Sequence, residues 1–333
     1  MATRKEVALE AGVSTAAVSY FINNNGYLSQ EKREKIAAAI KKLNYRPNLL
    51  AKSLKTNDSK QLVFICNEIR NPFHAEVAYG ASSEAYKMGY MTMFCNVVDD
   101  EDYILKMCSY MVSGVFISTT IIRTATINKI AQMNIPVVIL ADRQRQGLDP
   151  SVTQITIDYD KAMGALVDHV LEQGKRRIAY VASSGMQDSA RYDGKTKALF
   201  AHCQEKGIAL NPNWFVEHAT HTQAAYDAVQ AKIFTQSDLP DAFICTNDAT
   251  ALGVIRAITD NGLRVPEDVI VTGFDNTVYG QMSTPRLTTI DLGTLNISRE
   301  TVGLLLEKCQ GKDVNGGVID PLFIPRESTQ VPQ

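Results

Sequence analysis

Residues 3–23 read TRKEVALEAGVSTAAVSYFIN, and they predict two short helices joined by a tight turn. The first helix, residues 4–11, is expected to be amphipathic. Its apolar side is formed by Val7, Ala8 and Ala11. Gly12 is expected to end this helix, because glycine readily adopts the left-handed backbone of such a turn.

Ser14 can cap the second helix, which starts directly after it. One face of this helix is apolar and carries Val18, Phe21 and Ile22 at positions i, i+3 and i+4. The opposite arc carries Thr15, Ala16 and Tyr20. In a helix-turn-helix, that arc lies against base edges in the major groove. A helical hairpin inside a larger core has the same spacing, so the spacing alone leaves both interpretations open.

A third helix is expected from Ser29 to about Leu43. Within it, Ile36, Ile40 and Leu43 are spaced to pack against the first two helices. Three short helices make a small core, so residues 1–46 are predicted to form a headpiece domain.

Residues 47–60, PNLLAKSLKTNDSK, are predicted to form a hinge. Pro47 interrupts the preceding helix, and residues 49–55 are long enough for two turns. Two turns are too short to persist alone in water, so a helix here is expected to depend on binding.

Charge is distributed unevenly along the 333 residues. Residues 1–60 hold eleven Lys or Arg and five Asp or Glu, a net charge of +6, whereas the remaining residues carry −8. A basic head on an acidic body is typical of a nucleic-acid-binding module attached to a second domain. The length also favours two or three domains.

The six cysteines are scattered, mostly within apolar segments, and contain no C-x-x-C pair. Reduced core thiols are therefore expected rather than a disulfide or zinc framework. The apolar runs are too short to span a membrane, and the charged N-terminus differs from a secretory signal. These features predict a cytoplasmic protein with neither a metal site nor a cofactor.

The order of the N-terminal segments resembles the DNA-binding headpiece and hinge of the lactose-repressor (LacI/GalR) family of bacterial transcription regulators. The likeness extends to about residue 56 through ATRKEVALEAGVSTAAVSYFIN, SQEKREKI and LNYRPNLLAKSLKT. The resemblance implies that Thr15, Ala16 and Tyr20 read bases and that Leu54 is wedged into the minor groove. The further DNA contacts expected are Lys5, Ser14, Ala51, Lys52 and Lys55.

From residue 61 onward, short apolar runs alternate with helix-length segments, which predicts parallel sheets wrapped by helices. The first set of runs is LVFIC (62–66), YMTMFCN (90–96), GVFIS (114–118) and PVVIL (136–140). The second set is RIAYVA (177–182), DAFICT (241–246) and VIVTGF (269–274). Helices are expected near 159–173, 191–206, 222–235, 248–262 and 296–310. The fold class expected is an all-α headpiece plus an α/β core of two doubly wound subdomains.

This core resembles the periplasmic sugar-binding proteins, whose fold the same family carries as its regulatory domain. The resemblance rests on residues 71–90, 246–269 and 273–276, the last of which read GFDN. We expect residues 61–160 with 292–320 to form one subdomain and residues 161–291 with 321–333 the other. Ligands bind such sheets beyond the carboxyl ends of the strands, so the cleft between the subdomains is the expected site.

Six residues at strand ends are predicted to contact an effector in that cleft: Phe73, His74, Asp142, Arg191, Asn247 and Asp275. Carboxylates and a guanidinium can each bind two neighbouring hydroxyls, which suits a sugar. The resemblance supports Arg191, Asn247 and Asp275, which match the family's R-x-x-G, N-D and G-F-D-N motifs. Asn247 and Asp275 could instead cap local backbone, while Phe73 and His74 could belong to the core.

Three positions depart from the family pattern, and one of them is Thr220, which lies where many members have an aromatic residue. Asp142 comes one residue later after Pro136 than is usual, which puts its place in the cleft in doubt. Lys195 follows Gly194 where an aromatic residue is common.

Motifs of nucleotide-binding, zinc-dependent and serine-nucleophile enzymes are absent from the sequence, so no catalytic residue is predicted. The expected function is a repressor that binds a palindromic operator as a homodimer and responds to a small-molecule effector. A carbohydrate is favoured, because the resembling family mostly senses sugars. The alternatives are a solute-binding transport protein and a corepressor-dependent, purine-type regulator.

Overall fold

A computed structural model describes residues 2–47, 59–97, 101–119, 121–183 and 193–330. The chain separates into two compact units, Met1–Ser59 and Lys60–Gln333. Several sequence predictions lie outside the described residues, namely those for Ala51, Lys52, Leu54, Lys55 and Arg191.

The first unit contains the three predicted helices, α1 (Arg4–Ala11), α2 (Thr15–Asn23) and α3 (Gln30–Lys42). A capping box starts α1, in which Thr3 N donates to the Glu6 carboxylate at 2.6 Å and Glu6 N donates to the Thr3 hydroxyl. Gly12 ends α1 with φ of 62°, as predicted.

The core of this unit is formed where the three helices meet. Its buried residues are Val7, Ala8, Ala11, Val18, Ile36, Ala39 and Tyr45. Phe21, Ile22 and Ile40 pack against them and are partly buried. The predicted apolar faces therefore all point into one small core.

The second unit contains two parallel sheets. The strands of the first sheet are β1 (Gln61–Cys66), β2 (Met91–Asn96), β3 (Gly114–Ser118), β4 (Val137–Ala141), β5 (Thr153–Ile157) and β11 (Val318–Ile319). Those of the second are β6 (Ile178–Val181), β7 (Phe215–Val216), β8 (Ala242–Cys245) and β9 (Ile270–Thr272). The first sheet has the strand order β11-β5-β4-β3-β1-β2, and the second has the order β7-β6-β8-β9.

Helices cover both faces of these sheets, which explains why β3, β4 and β8 consist entirely of buried residues. The helices of the second unit are α4 (Pro72–Lys87), α5 (Glu101–Cys108), α6 (Thr124–Gln132), α7 (Tyr159–Glu172), α8 (Gly194–Glu205), α9 (Thr222–Lys232), α10 (Asp248–Asp260), α11 (Val278–Met282) and α12 (Thr294–Cys309). The predicted α/β core with parallel sheets is confirmed.

The C-terminal part of the chain contacts both sheets. α12 packs on α4, and β11 pairs with β5. Both α12 and β11 therefore belong to the half of the core that contains the first sheet. The chain then forms β12 (Leu322–Ile324), antiparallel to β10 (Thr289–Asp291), and Ser328 Oγ donates to Val271 O at 2.6 Å beside the second sheet. In this segment the chain therefore passes from the first sheet to the second.

Some elements differ from the sequence predictions. Strand β5 is not predicted from the sequence, because its alternating TQITI pattern lacks the continuous apolar run that marks the predicted strands. Helix α9 ends at Lys232, before the predicted 235. Among the described residues, no helix is long and apolar enough to cross a membrane.

Candidate functional site

The start of α2 presents a compact exposed surface on the first unit. Ser14 Oγ accepts a hydrogen bond from Ala17 N at 3.2 Å, which caps the helix and orders its first turn. Thr15 and Ala16 follow directly and are exposed, whereas Val18 is buried in the core. The predicted separation of an outward arc from an inward face is therefore present.

Tyr20 completes this arc and is 47% exposed. Its ring is held against Gly26, where an added Cβ would lie 3.1 Å from ring carbons of Tyr20. Gly26 also has φ of 80°, so a larger residue would be strained there. Lys5, on α1, is exposed as well.

The first turn of α2 contains no acidic residue. The partial positive charge of the helix N-terminus is therefore available to a phosphate or another anion. Together with the exposed Thr15, Ala16 and Tyr20, this surface suits a nucleic-acid groove, in which hydroxyls and a methyl group contact base edges.

Five of the six predicted effector residues line one cavity in the second unit: Phe73, His74, Asp142, Asn247 and Asp275. The sixth, Arg191, lies outside the described residues. The cavity is surrounded by the carboxyl ends of strands from both sheets, since Asn67 follows β1, Thr119 follows β3 and Thr246 follows β8. This is the position expected for a ligand in doubly wound sheets.

Phe73 and His74 enter the cavity from the first turn of α4, which Asn71 caps by accepting from Phe73 N at 3.0 Å. His74 Nδ1 lies 3.4 Å from Ser118 Oγ. Burial, with the nearby charge of Lys195, lowers the pKa of His74 to about 4. At neutral pH His74 therefore offers one donor and one acceptor and carries no charge.

Asp142 follows β4, and its Oδ2 accepts from Gly194 N at 3.1 Å. Its offset from the family pattern has not removed it from the cavity. Gly194 begins α8, and a Cβ there would lie 2.7 Å from Asp142 O and 2.6 Å from Tyr159 Cδ2. This close approach explains the requirement for glycine.

Asn247 has a structural role besides lining the cavity. Its side chain caps α10 by accepting from Thr250 N at 2.9 Å, as one of the sequence alternatives proposed. The next residue, Asp248, is buried and accepts hydrogen bonds from Thr277 N at 2.6 Å and Thr289 Oγ1 at 2.7 Å. Burial, with the nearby Asp275, raises the pKa of Asp248 to about 7.

Asp275 is buried at the cavity wall with φ of 95°, a backbone conformation that is unusual for a non-glycine residue. Burial raises the pKa of its carboxyl group, and the adjacent Lys195 opposes that rise. Lys195 Nζ lies 3.5 Å from Asp275 Oδ1.

Sequence reasoning missed several lining residues, including Asn67, Ser118, Tyr159, Ser183, Lys195 and Thr246 as contacts. Asn67 could have been found, because it follows a predicted strand directly. In the sequence, Lys195 stands out only as a departure from the family pattern. Across the described ranges, no group of His, Cys, Asp and Glu side chains is arranged to hold a metal ion.

Two family models match the chain, one within each of its two compact units. Residues 3–48 match bacterial regulatory proteins, lacI family, and residues 167–329 match the periplasmic binding protein-like domain. The first match includes the exposed arc of α2, and the second includes Asn247 and Asp275.

The HTH-type transcriptional repressor PurR of Haemophilus influenzae (strain PittEE) is 31% identical over 322 residues, which cover 94% of this chain and 93% of that protein. The fold is similar to that of the Lac repressor dimer bound to operator and the anti-inducer ONPF, with a TM-score of 0.83, 23% identity and coverage of 98% and 99%. It is also similar to the transcriptional regulator CelR in complex with cellobiose, with a TM-score of 0.70, 22% identity and coverage of 98% and 100%. The chain belongs to the lacI family of bacterial regulatory proteins and is a DNA-binding transcriptional regulator rather than an enzyme.

Proposed function

We propose that this regulator is a repressor that binds a palindromic operator as a homodimer in the cytoplasm, and that a carbohydrate bound in the core cavity controls its DNA affinity. The observation that carries the proposal is the arrangement of α2, where Thr15, Ala16 and Tyr20 are exposed while Val18 is buried. The repressor activity is supported by the PurR relative.

Each residue of the exposed arc has a distinct proposed role. Ala16 offers only a methyl group, which favours an apolar contact such as a thymine methyl, whereas Thr15 and Tyr20 can donate or accept hydrogen bonds. Ser14 acts through the cap that fixes the first turn. Lys5 contacts phosphate and makes the affinity depend on salt. By resemblance, the hinge residues Ala51, Lys52, Leu54 and Lys55 extend this interface.

The homodimer is supported by the surface of α4. Tyr79 and Tyr86 lie seven residues apart on one face of this helix and are both strongly exposed. Large exposed apolar side chains in a row are typical of a protein interface. The similar Lac repressor is described as a dimer on its operator, and two copies related by a twofold axis would read a palindrome.

A carbohydrate effector is supported by the chemistry of the cavity wall. Asp142 and Asp275 supply carboxylate acceptors, Asn247 supplies an amide, and Phe73 supplies an aromatic ring. This set suits neighbouring hydroxyls around an apolar sugar face. The complex of CelR with cellobiose shows a disaccharide on a similar fold. A purine-type corepressor is the second candidate, because the PurR relative is more similar in sequence.

Effector control requires a molecule that favours one arrangement of the core over another. The cavity is lined from both sheets, so a bound ligand contacts both at once. Coupling of this kind is typically worth about 1–3 kcal/mol, or roughly 5- to 150-fold in affinity. Its sign, induction or corepression, follows from which arrangement the ligand favours.

The test begins with selection of bound sequences from random double-stranded DNA by the full-length protein. Twofold-symmetric sequences are the expected result. A thermal-shift screen of sugars, sugar phosphates and purines then identifies ligands, and each one is added to an operator-binding titration. Enrichment of asymmetric sequences, or of none, would contradict the proposed dimeric repressor.

A further inference from the structure

Lys195 lies in an unusual environment for a lysine. It is the second residue of α8, and the close approach of Gly194 to Asp142 and Tyr159 brings this end of the helix to the cavity. The Lys195 side chain is only 16% exposed, and it lines the cavity together with Asp275 and Thr246. A buried ammonium is unfavourable unless it is paired, so its partners define its role.

Among the described residues, three groups lie close to the ammonium, and the Tyr159 ring lies farther away with its centroid at 5.7 Å. Nζ donates to Thr246 O at 2.7 Å, lies 3.5 Å from Asp275 Oδ1, and is 3.7 Å from the centroid of the Phe274 ring. The ring stabilises the charge through a cation–π contact. An ammonium has three donors, and among the described residues Thr246 and Asp275 account for two of them.

The carboxylate of Asp275 differs from that of its neighbour Asp248. Asp248 accepts hydrogen bonds from both Thr277 and Thr289. Among the described residues, Lys195 is the one polar side chain that pairs with the Asp275 carboxylate. Without the lysine, burial would favour the protonated acid, which can donate a hydrogen bond as well as accept one.

We propose that Lys195 is a specificity-determining residue of this cavity, which keeps Asp275 as a hydrogen-bond acceptor and presents a cationic donor beside it. The complementary effector is uncharged and carries a hydroxyl or N–H donor next to an acceptor atom. A phosphate or carboxylate facing Asp275 would be repelled. The inference rests on the proposed function, because it assumes an effector in this cavity.

The test compares wild-type protein with Lys195→Met, which keeps an unbranched side chain over Phe274 but removes the charge. Lys195→Arg restores a cation. Lys197→Met is a matched control, because Lys197 lies on the same helix and is exposed. Selective carbon-13 labelling of aspartate carboxyl groups, with the signal assigned through Asp275→Asn, follows the titration of Asp275 directly by NMR and needs no ligand.

The midpoint of the Asp275 titration is expected at a higher pH in Lys195→Met than in the wild type. It should return toward the wild-type value in Lys195→Arg and stay unchanged in Lys197→Met. The other ionisable groups that interact with Asp275 among the described residues, which are Glu76, Tyr159 and Asp248, are retained in every variant. Equal midpoints in the wild type and Lys195→Met would overturn the proposal.

A second measurement uses calorimetry with cellobiose and with hypoxanthine as representatives of the two effector classes. Whichever binds the wild type should lose roughly tenfold or more in affinity in Lys195→Met, whereas Lys197→Met should bind it normally. Unchanged affinity in Lys195→Met would contradict the proposal. If neither compound binds the wild type, the proposed effector classes are at fault, and the carboxyl titration still decides the role of Lys195.

Discussion

The backbone N–H of Gly194 donates to Oδ2 of Asp142 at 3.1 Å, and this bond joins the end of a strand in the first sheet to a helix of the second. Asp142 lines the cavity, as does Lys195, the residue that follows Gly194, so the contact lies beside the cavity. It needs glycine at position 194, since an added Cβ would lie 2.7 Å from Asp142 O. The two halves of the core are therefore in direct contact beside the cavity.

Gly194→Ala should separate these groups and destabilise the core by about 1–3 kcal/mol, as overpacking commonly does. Chemical denaturation of the full-length protein measures this change in the free energy of unfolding. Gly303→Ala is the matched control: Gly303 lies on α12 and an added Cβ meets no atom within 4 Å. That change should be neutral or stabilising by up to about 1 kcal/mol, because alanine favours a helix. Similar effects of the two substitutions would contradict the proposed close contact.

Asp248 should give the protein a measurable pH dependence. Burial raises the pKa of this carboxyl to about 7, whereas an unfolded aspartate titrates near 4. The folded state therefore binds an extra proton between these values, and its stability falls as pH rises from about 4 to about 7. The size of this contribution is on the order of a few kcal/mol.

Asp248→Asn removes the titrating group and serves as the reference for this prediction. The difference in unfolding free energy between wild type and Asp248→Asn, measured at several pH values from 4 to 8, should decline across that window. Groups that do not interact with Asp248 cancel in the subtraction, whereas Asp275, whose charge acts on Asp248, cancels only in part. A difference that is constant with pH would show that Asp248 does not titrate in the folded protein as described.

Tyr20→Phe should weaken operator binding by about 1 kcal/mol, because it removes a hydroxyl proposed to contact a base edge. Tyr27→Phe provides the control, since Tyr27 is 92% exposed and lies beyond the end of α2. Gel-shift titrations on the selected operator and on random DNA measure the affinity that each variant loses for specific and for non-specific DNA. Equal losses on both DNAs for Tyr20→Phe would assign the hydroxyl to phosphate contact rather than to base reading.

Leu54→Ala tests the minor-groove wedge that the family resemblance implies. The apolar wedge contributes to a kinked, specific complex, so its removal should weaken operator binding far more than non-specific binding. The ratio of the dissociation constants for random DNA and for the operator, measured at one salt concentration, reports this loss of specificity. An unchanged ratio would argue that Leu54 is an ordinary linker residue.

Much of the architecture could be predicted from the sequence because its signals are local. Gly12, Ser14 and the spacing of Val18 determine the first two helices, and continuous apolar runs such as GVFIS mark buried parallel strands. Strand β5 lacked this signal because its residues alternate between buried and partly exposed. Its position in the sheet depends on pairing with β4 and β11, which are separated from β5 along the chain and are not visible in its local sequence.

The cavity was predictable only where a residue follows a strand or matches a motif. Asp275 and Asn247 met both conditions, and Asp142 met the first despite its offset. Lys195 met neither, because its role depends on Thr246, Phe274 and Asp275, which are brought together by the fold. Pairing between residues so far apart in the chain cannot be predicted from local spacing.

The most direct test of the account is the dissociation constant of the wild-type protein for its selected operator, measured by fluorescence anisotropy with and without the ligands from the thermal-shift screen. At least one ligand is expected to change this constant by roughly 5- to 150-fold. If every ligand that binds the protein leaves the constant unchanged, the cavity does not control DNA binding and the proposed function is wrong.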